Sequence, residues 1–248
     1  MVMILAAAQT KPVRYNIEAN LADHLRLVQL AADKGAELIV FPEMSITGYE
    51  REKAADLAFV ENDDRLDAFR KLADDNKIII IAGAPIRTNT GFHIAEFVIR
   101  PKQPMVIYTK QFLHTGEDDC FQSSFDYNPT LQLGKEKVAL AICADIDNPL
   151  HAENAHRIGS TLYIPSIFFS PNGIPEAHRL LSGYAKKHTM NVLMANFGGD
   201  TWGQPSGGRS AFWNNKGELV AEMKNSGSGL LLVENKNDNW VGQIVEDK

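Results

Sequence analysis

The alternation of short apolar runs with amphipathic stripes of helical spacing, sustained along most of the 248 residues, predicts an α/β fold. A 44% hydrophobic composition supports a sizeable core. No Pro-, Gly- or Ser-rich linker divides the chain, so a single domain spanning residues 1–248 is expected. No repeat of solenoid period is visible.

The elements follow in order. Met3–Ala8 is the first strand, an apolar run that gives way to polar Gln9 and Thr10. Asn16 can cap a helix running to about Lys34, whose Ile17, Leu21, Leu25, Val28 and Ala32 form one stripe, and Gly35 stops it. The strand Leu38–Phe41 comes next, then a helix from Asp63 or Asp64 to Asn76 with Leu66, Phe69 and Ala73 on one face. Strand Ile78–Ala82 follows. The runs Phe92–Val98 and Met105–Tyr108 succeed one another without a helix, which predicts antiparallel neighbours. Residues 111–135 read as a long loop, a length that is uncommon unless functional. Strand Val138–Ile142, a helix over about Pro149–Arg157 and strand Thr161–Ile164 come after it. A helix over about Glu176–His188 presents Ala177, Leu180, Leu181 and Tyr184, and strand Val192–Ala195 leads to a Gly-rich stretch at 198–208. Short strands near Ser210–Trp213, Leu219–Ala221 and Leu230–Val233 complete the chain, with a turn at 214–217 joining the first two.

A net charge of −6 argues against a general nucleic-acid surface, because phosphate binding needs a cationic footprint. Two cysteines, Cys120 and Cys143, are too few for a disulfide framework and point to a reducing compartment. The apolar N-terminus lacks the positive region of a signal peptide, and no apolar run approaches the roughly 20 residues that cross a bilayer. A soluble cytoplasmic protein that engages neither nucleic acid nor membrane is the expectation.

Three strand ends carry reactive side chains. Leu38–Phe41 runs into Pro42 and Glu43, Met105–Tyr108 runs into Thr109 and Lys110, and Val138–Ile142 runs directly into Cys143. Chemistry in open α/β sheets gathers at such carboxyl ends. Each residue alone reads as ordinary: a solvated strand end for the charges, a buried thiol for the cysteine. Together they supply an acid–base group, a fixed cation and a nucleophile, the set that covalent amide hydrolysis requires.

The stretches Phe41-Pro42-Glu43-x-x-x-x-Gly48-Tyr49, Tyr108-x-Lys110-x-x-Leu113-x-x-x-Glu117 and Ile142-Cys143-x-Asp145-x-x-x-Pro149 resemble the signatures of the nitrilase superfamily, the carbon–nitrogen hydrolases. The resemblance runs from Ala8-Gln9-Thr10 to Asn215-Lys216-Gly217-Glu218. It implies a four-layer α-β-β-α sandwich that pairs through helices into a homodimer or larger even assembly. It also implies Glu43 as general base, Lys110 as oxyanion partner and Cys143 as nucleophile, with Glu117 orienting the lysine and assisting water. The backbone N–H of Ala144 would complete the oxyanion site. The implied reaction cleaves a non-peptide C–N bond of a small amide through a cysteine thioester and releases ammonia. Nitrile hydrolysis and N-carbamoyl cleavage use the same triad.

Around the nucleophile the sequence departs from the family, with Ala144, Asn148 and Leu150 where aromatic, aromatic and Glu are frequent. Phe112, His114, Phe168 and Asn196, with Phe169 and Arg209, are candidate pocket residues. Rival readings are weaker. Cys143 with His151 or His156 lacks a Gly-x-nucleophile-x-Gly elbow. A zinc site from Cys143, Asp145, His151 and His156 lacks ligand spacing, and the glycines do not form a dinucleotide fingerprint. No metal or cofactor is expected. A catalytically silent sensor or scaffold would not need all four polar positions.

Overall fold

The structure is a computed structural model describing residues 2–237 and 239–247. Two sheets lie face to face. The first has the order β13-β12-β1-β2-β3-β4-β5, from β1 (Met3–Gln9), β2 (Leu38–Val40), β3 (Ile79–Thr88), β4 (Gly91–Ile99), β5 (Val106–Thr109), β12 (Gly229–Lys236) and β13 (Asn239–Glu246). The second has the order β11-β10-β9-β8-β7-β6, from β6 (Leu131–Leu133), β7 (Glu136–Ile142), β8 (Leu162–Ser166), β9 (Asn191–Met194), β10 (Ala211–Trp213) and β11 (Leu219–Glu222). At the centre of each sheet three strands are parallel, β1, β2 and β3 in one and β7, β8 and β9 in the other. The flanking strands are antiparallel, including the expected β4–β5 pair.

Side-chain alternation builds the layers. In β7, Val138, Leu140 and Ile142 face the other sheet, meeting Leu38, Val40 and Ile81 in a central core. Ala139 and Ala141 face outward, where their small size admits α4 (Pro149–Arg157) and α5 (Ile174–His188) close to the sheet. On the other side α1 (Ile17–Asp33) and α3 (Asp67–Asn76) cover the first sheet, packing Leu27, Val28, Ala31 and Phe69 against Ile39, Phe41 and Ile80. The result is the four-layer α-β-β-α sandwich.

Several elements differ from their sequence reading. In α1 the fully buried positions are Asn20, His24, Leu27, Val28 and Ala31, while Ile17, Leu21, Leu25 and Ala32 lie at the margin. The buried face is turned because its two polar residues have partners that hydropathy cannot count. Asn20 donates to the carbonyls of Val13 and Ile46 at 3.0 Å each. His24 Nδ1 donates to Asn20 O at 2.6 Å, so Nε2 accepts from Ser45 Oγ at 2.9 Å, and its ring stacks on Phe41 at 4.1 Å. Burial pushes the His24 pKa down to about 4, its bond to the Asn20 carbonyl notwithstanding. Helix α1 thus grips residues 45–46, just past Glu43. The loop at 111–135 contains the short strand β6, and β13, an edge strand with no buried residue, carries no regular apolar alternation that would mark it in the sequence. The one-turn helix α2 (Ala54–Leu57) is too short to show a period in the sequence.

Candidate active site

Strands β2 and β5 point the same way in the first sheet, and β7 ends facing them across the central core. Lys110 follows β5 directly and is wholly buried. Its Nζ donates to Glu43 Oε1 and to Glu117 Oε1, both at 2.7 Å, and both carboxylates are also fully buried. Glu117 is held from two further directions. The Tyr49 hydroxyl donates to its Oε1 at 2.6 Å, and the backbone N–H of His114 donates to its Oε2 at 2.7 Å. The long loop therefore folds back so that its carboxylate braces the lysine that precedes it.

Cys143 is 7% exposed and opens a 3₁₀ turn, Cys143–Asp147, at the end of β7. Its φ of 42° lies in the left-handed region, a strain of about 1–3 kcal/mol for a residue with a Cβ, which the surrounding contacts must sustain. The thiol reaches the Phe168 carbonyl at 3.5 Å and sits beside the Glu43 carboxylate. Met44, directly after Glu43, also has a positive φ, 51°. Both the carboxylate and the thiol are thus presented from sharp backbone turns.

Burial governs the site's electrostatics. It pushes Glu43 up to about 7, opposed by the Lys110 ammonium and reinforced by Glu117. It also drives the Cys143 thiol well above its ordinary value, with Glu43 adding to the effect and Lys110 opposing it. For Lys110 desolvation alone would lower the pKa, but Glu43, Cys143 and Glu117 outweigh it and keep the ammonium charged. The resting site is accordingly a protonated thiol beside a carboxylate able to gain or lose a proton near neutrality.

Asp145 joins the two halves. Its Oδ1 accepts the backbone N–H groups of Gln111 and Phe112 at 3.0 and 2.8 Å, and its Oδ2 accepts Ile142 N–H at 2.8 Å and the Tyr108 hydroxyl at 2.6 Å. One buried carboxylate so ties the backbone after Lys110 to the backbone before Cys143. Because Tyr108 gives its proton to Asp145, His151 Nε2 must donate to the Tyr108 oxygen at 2.8 Å, leaving Nδ1 to accept from the Tyr163 hydroxyl at 2.8 Å. Burial lowers the His151 pKa, Asp145 opposing, in keeping with this neutral tautomer. His151 is thereby engaged with tyrosines rather than with the thiol, and His156 packs against His188. The signature Ile142-Cys143-x-Asp145 contains this carboxylate but assigns it no role. Its place two residues after Cys143, at the end of an apolar strand, is the sequence signal for that bridge.

Carbon–nitrogen hydrolases as a family match residues 4–240 of the chain. The chain belongs to the carbon–nitrogen hydrolase family. The nitrilase of Pyrococcus abyssi is 24% identical over 257 residues, spanning 98% of this chain and 96% of the relative. Glutamine-dependent NAD(+) synthetase of Thermotoga maritima is 25% identical over 164 residues, but the match spans 63% of this chain and only 28% of that protein. Among solved structures, the NitN amidase from Nesterenkonia sp. AN1 superposes with a TM-score of 0.84 at 22% identity, covering 95% of this chain and 94% of that one.

In this carbon–nitrogen hydrolase the candidate pocket residues divide. Phe168 lies beside Cys143 and packs its ring 5.2 Å from Tyr49, which meets Trp202 edge-on at 5.8 Å. Tyr49, not among the candidate pocket residues, thus joins Phe168 to the Glu117 carboxylate, with Trp202 packed behind it. Phe112 packs edge-on against Phe125 and His151, and the exposed His114 contributes its backbone rather than its ring to Glu117. Asn196 has its side chain spent on the backbone. It accepts from Phe169 N–H at 3.1 Å and donates to Gly208 O at 2.8 Å, so it holds the loop behind Phe168. Arg209 pairs with Glu222 at 2.8 Å. Among the described residues no helix is long and apolar enough to cross a membrane.

Proposed function

We propose that this enzyme hydrolyses a small carboxamide through a thioester on Cys143. The observation that carries the reading is the buried Lys110 ammonium bridging two carboxylates at 2.7 Å beside a thiol. Glu43 takes the thiol proton as sulfur attacks the amide carbon. The carbonyl oxygen becomes an oxyanion, met by the Lys110 ammonium and by the Ala144 N–H, which lies in the first turn of a helix where amides lack intrahelical partners. As the intermediate collapses, the C–N bond breaks and Glu43 returns its proton to nitrogen, so ammonia leaves. Water then attacks the thioester carbon and gives a proton to Glu43, which passes it to the departing sulfur, and the carboxylic acid is released. Glu117 keeps the ammonium in place for both steps. A base near neutrality suits a group that must both accept and return a proton.

The rings of Phe168, beside Cys143, and Tyr49, on Glu117, favour a compact acyl group. The amidase named among the structural neighbours supports the amide as substrate, and one of its variants was solved with butyramide. Ammonia release from a panel of short carboxamides, ureido acids and nitriles tests the reading. Rapid-quench intact-mass spectrometry should find an acyl adduct on Cys143 with the amides. A turnover spectrum confined to nitriles or ureido acids would move the substrate class, and full activity in Cys143→Ala would end the proposal.

A further inference from the structure

Glu96 is a buried carboxyl that the reaction above does not use. It lies on β4 with Ile94 and Val98, whose side chains are in the central core, so by strand alternation it faces the space between the sheets. It is 1% exposed, and neither carboxyl oxygen has a closed hydrogen bond in the structure. Its surroundings belong to the site. Gly83, its register partner on β3, has no side chain, and a Cβ there would come within 2.6 Å of the Met44 nitrogen and 3.1 Å of Glu96 Oε1. The carboxyl and the backbone just after Glu43 thus share the space that a glycine leaves open. Across the layer stands the Ser166 hydroxyl, on β8 opposite Ile142, the residue before the nucleophile. The groups that bear on it electrostatically are Glu43 from the end of β2 and Tyr108 from β5, and no cation among the described residues pairs with it.

We infer that Glu96, wedged between the Glu43 turn and Ser166, is a positioning residue that holds Glu43 toward Cys143 and keeps it able to act as base. An ionised carboxylate with no cation and no closed hydrogen bond is too costly at this depth, so Glu96 carries its proton. Burial raises its pKa well above the ordinary value, the Ser166 hydroxyl opposing and Glu43 adding to the rise. In that form it adds no second negative charge beside Glu43. Its dipole also replaces part of the solvation that Glu43 has lost. The groups facing Glu43 are then Lys110, Glu117, Cys143 and Tyr49, with neutral Glu96 behind.

The inference rests on Glu43 acting as base for Cys143, and the test separates the two. In a Cys120→Ala background, the rate at which iodoacetamide alkylates Cys143 is followed across about pH 5–9 by intact mass, a readout of Glu43's charge that needs no substrate turnover. Glu96→Gln, neutral and of the same shape, should keep the wild-type midpoint. Glu96→Met, of similar length but apolar, should raise the midpoint by about half a pH unit and slow alkylation at neutral pH about twofold, because burial then acts on Glu43 unrelieved. An unshifted midpoint in Glu96→Met would reduce Glu96 to packing, and a shifted one in Glu96→Gln would mean that its own charge is used. Either overturns the inference. Should Glu96→Met not fold, Ser166→Ala should shift the midpoint upward by a smaller amount, and no shift there refutes it. If Glu43→Gln leaves the profile unchanged, Glu43 is not the base, and that assignment falls along with the inference.

Discussion

Replacing Lys110 with Met would leave Glu43 and Glu117 fully buried without the ammonium that both contact at 2.7 Å. The small value of a surface ion pair does not apply at zero exposure. Breaking a buried pair typically costs about 3–5 kcal/mol. The variant can limit that cost by taking up a proton. Holding one additional carboxyl neutral at pH 7, when its unfolded counterpart ionises near 4.3, costs about 4 kcal/mol. Glu43 already titrates near 7, so one extra proton is the expected number. A carboxyl whose folded pKa is raised contributes stability that is present at low pH and lost as pH rises. Lys110→Met should therefore be about 3–4 kcal/mol less stable than wild type at pH 7. The gap should shrink by about 1.4 kcal/mol per pH unit toward pH 5. Urea unfolding at several pH values measures it, and ammonia release should fall at least about 100-fold with the oxyanion partner gone. A pH-independent stability gap, or near wild-type kcat, would refute the reasoning.

Other outcomes follow from the same contacts. Cys143→Ala should lose turnover and iodoacetamide labelling while Cys120→Ala keeps both, even though burial raises the Cys143 thiol pKa, because Glu43 rather than a resident thiolate supplies the reactivity. Equal labelling of both single variants would count against it. Tyr49→Phe removes the 2.6 Å donor to Glu117 and should lower kcat about tenfold with the fold retained, as steady-state kinetics and circular dichroism would show. Asp145→Asn places an amide among four donors and should cost about 2–4 kcal/mol in thermal or urea unfolding; a loss below about 0.5 kcal/mol would contradict its bridging role. A homodimer or larger even assembly is expected, and light scattering that finds only a 27.5 kDa species would exclude it.

What the sequence alone determined is what repeats over short range. The α/β alternation, the central strands and the three strand ends at Glu43, Lys110 and Cys143 are written in runs a few residues long, where a side-chain period of two or about 3.6 shows directly. Edge strands β6 and β13 and the turn α2 escaped because short or half-exposed segments need little apolar pattern. The tertiary structure decided everything carried by contacts between distant residues. It set β12 beside β1, joined Tyr49 to Glu117, and tied Asp145 to the backbone at Gln111 and Phe112. It also turned α1 so that Asn20 and His24 face inward, because their hydrogen bonds to residues 45–46 offset the burial that hydropathy counts against them. The same holds for charge: Glu43 and Glu96 are both glutamates and equally buried, and their neighbours, the Lys110 ammonium against one and no paired cation among the described residues against the other, leave one carboxyl pushed up to about 7 and the other well above its ordinary value.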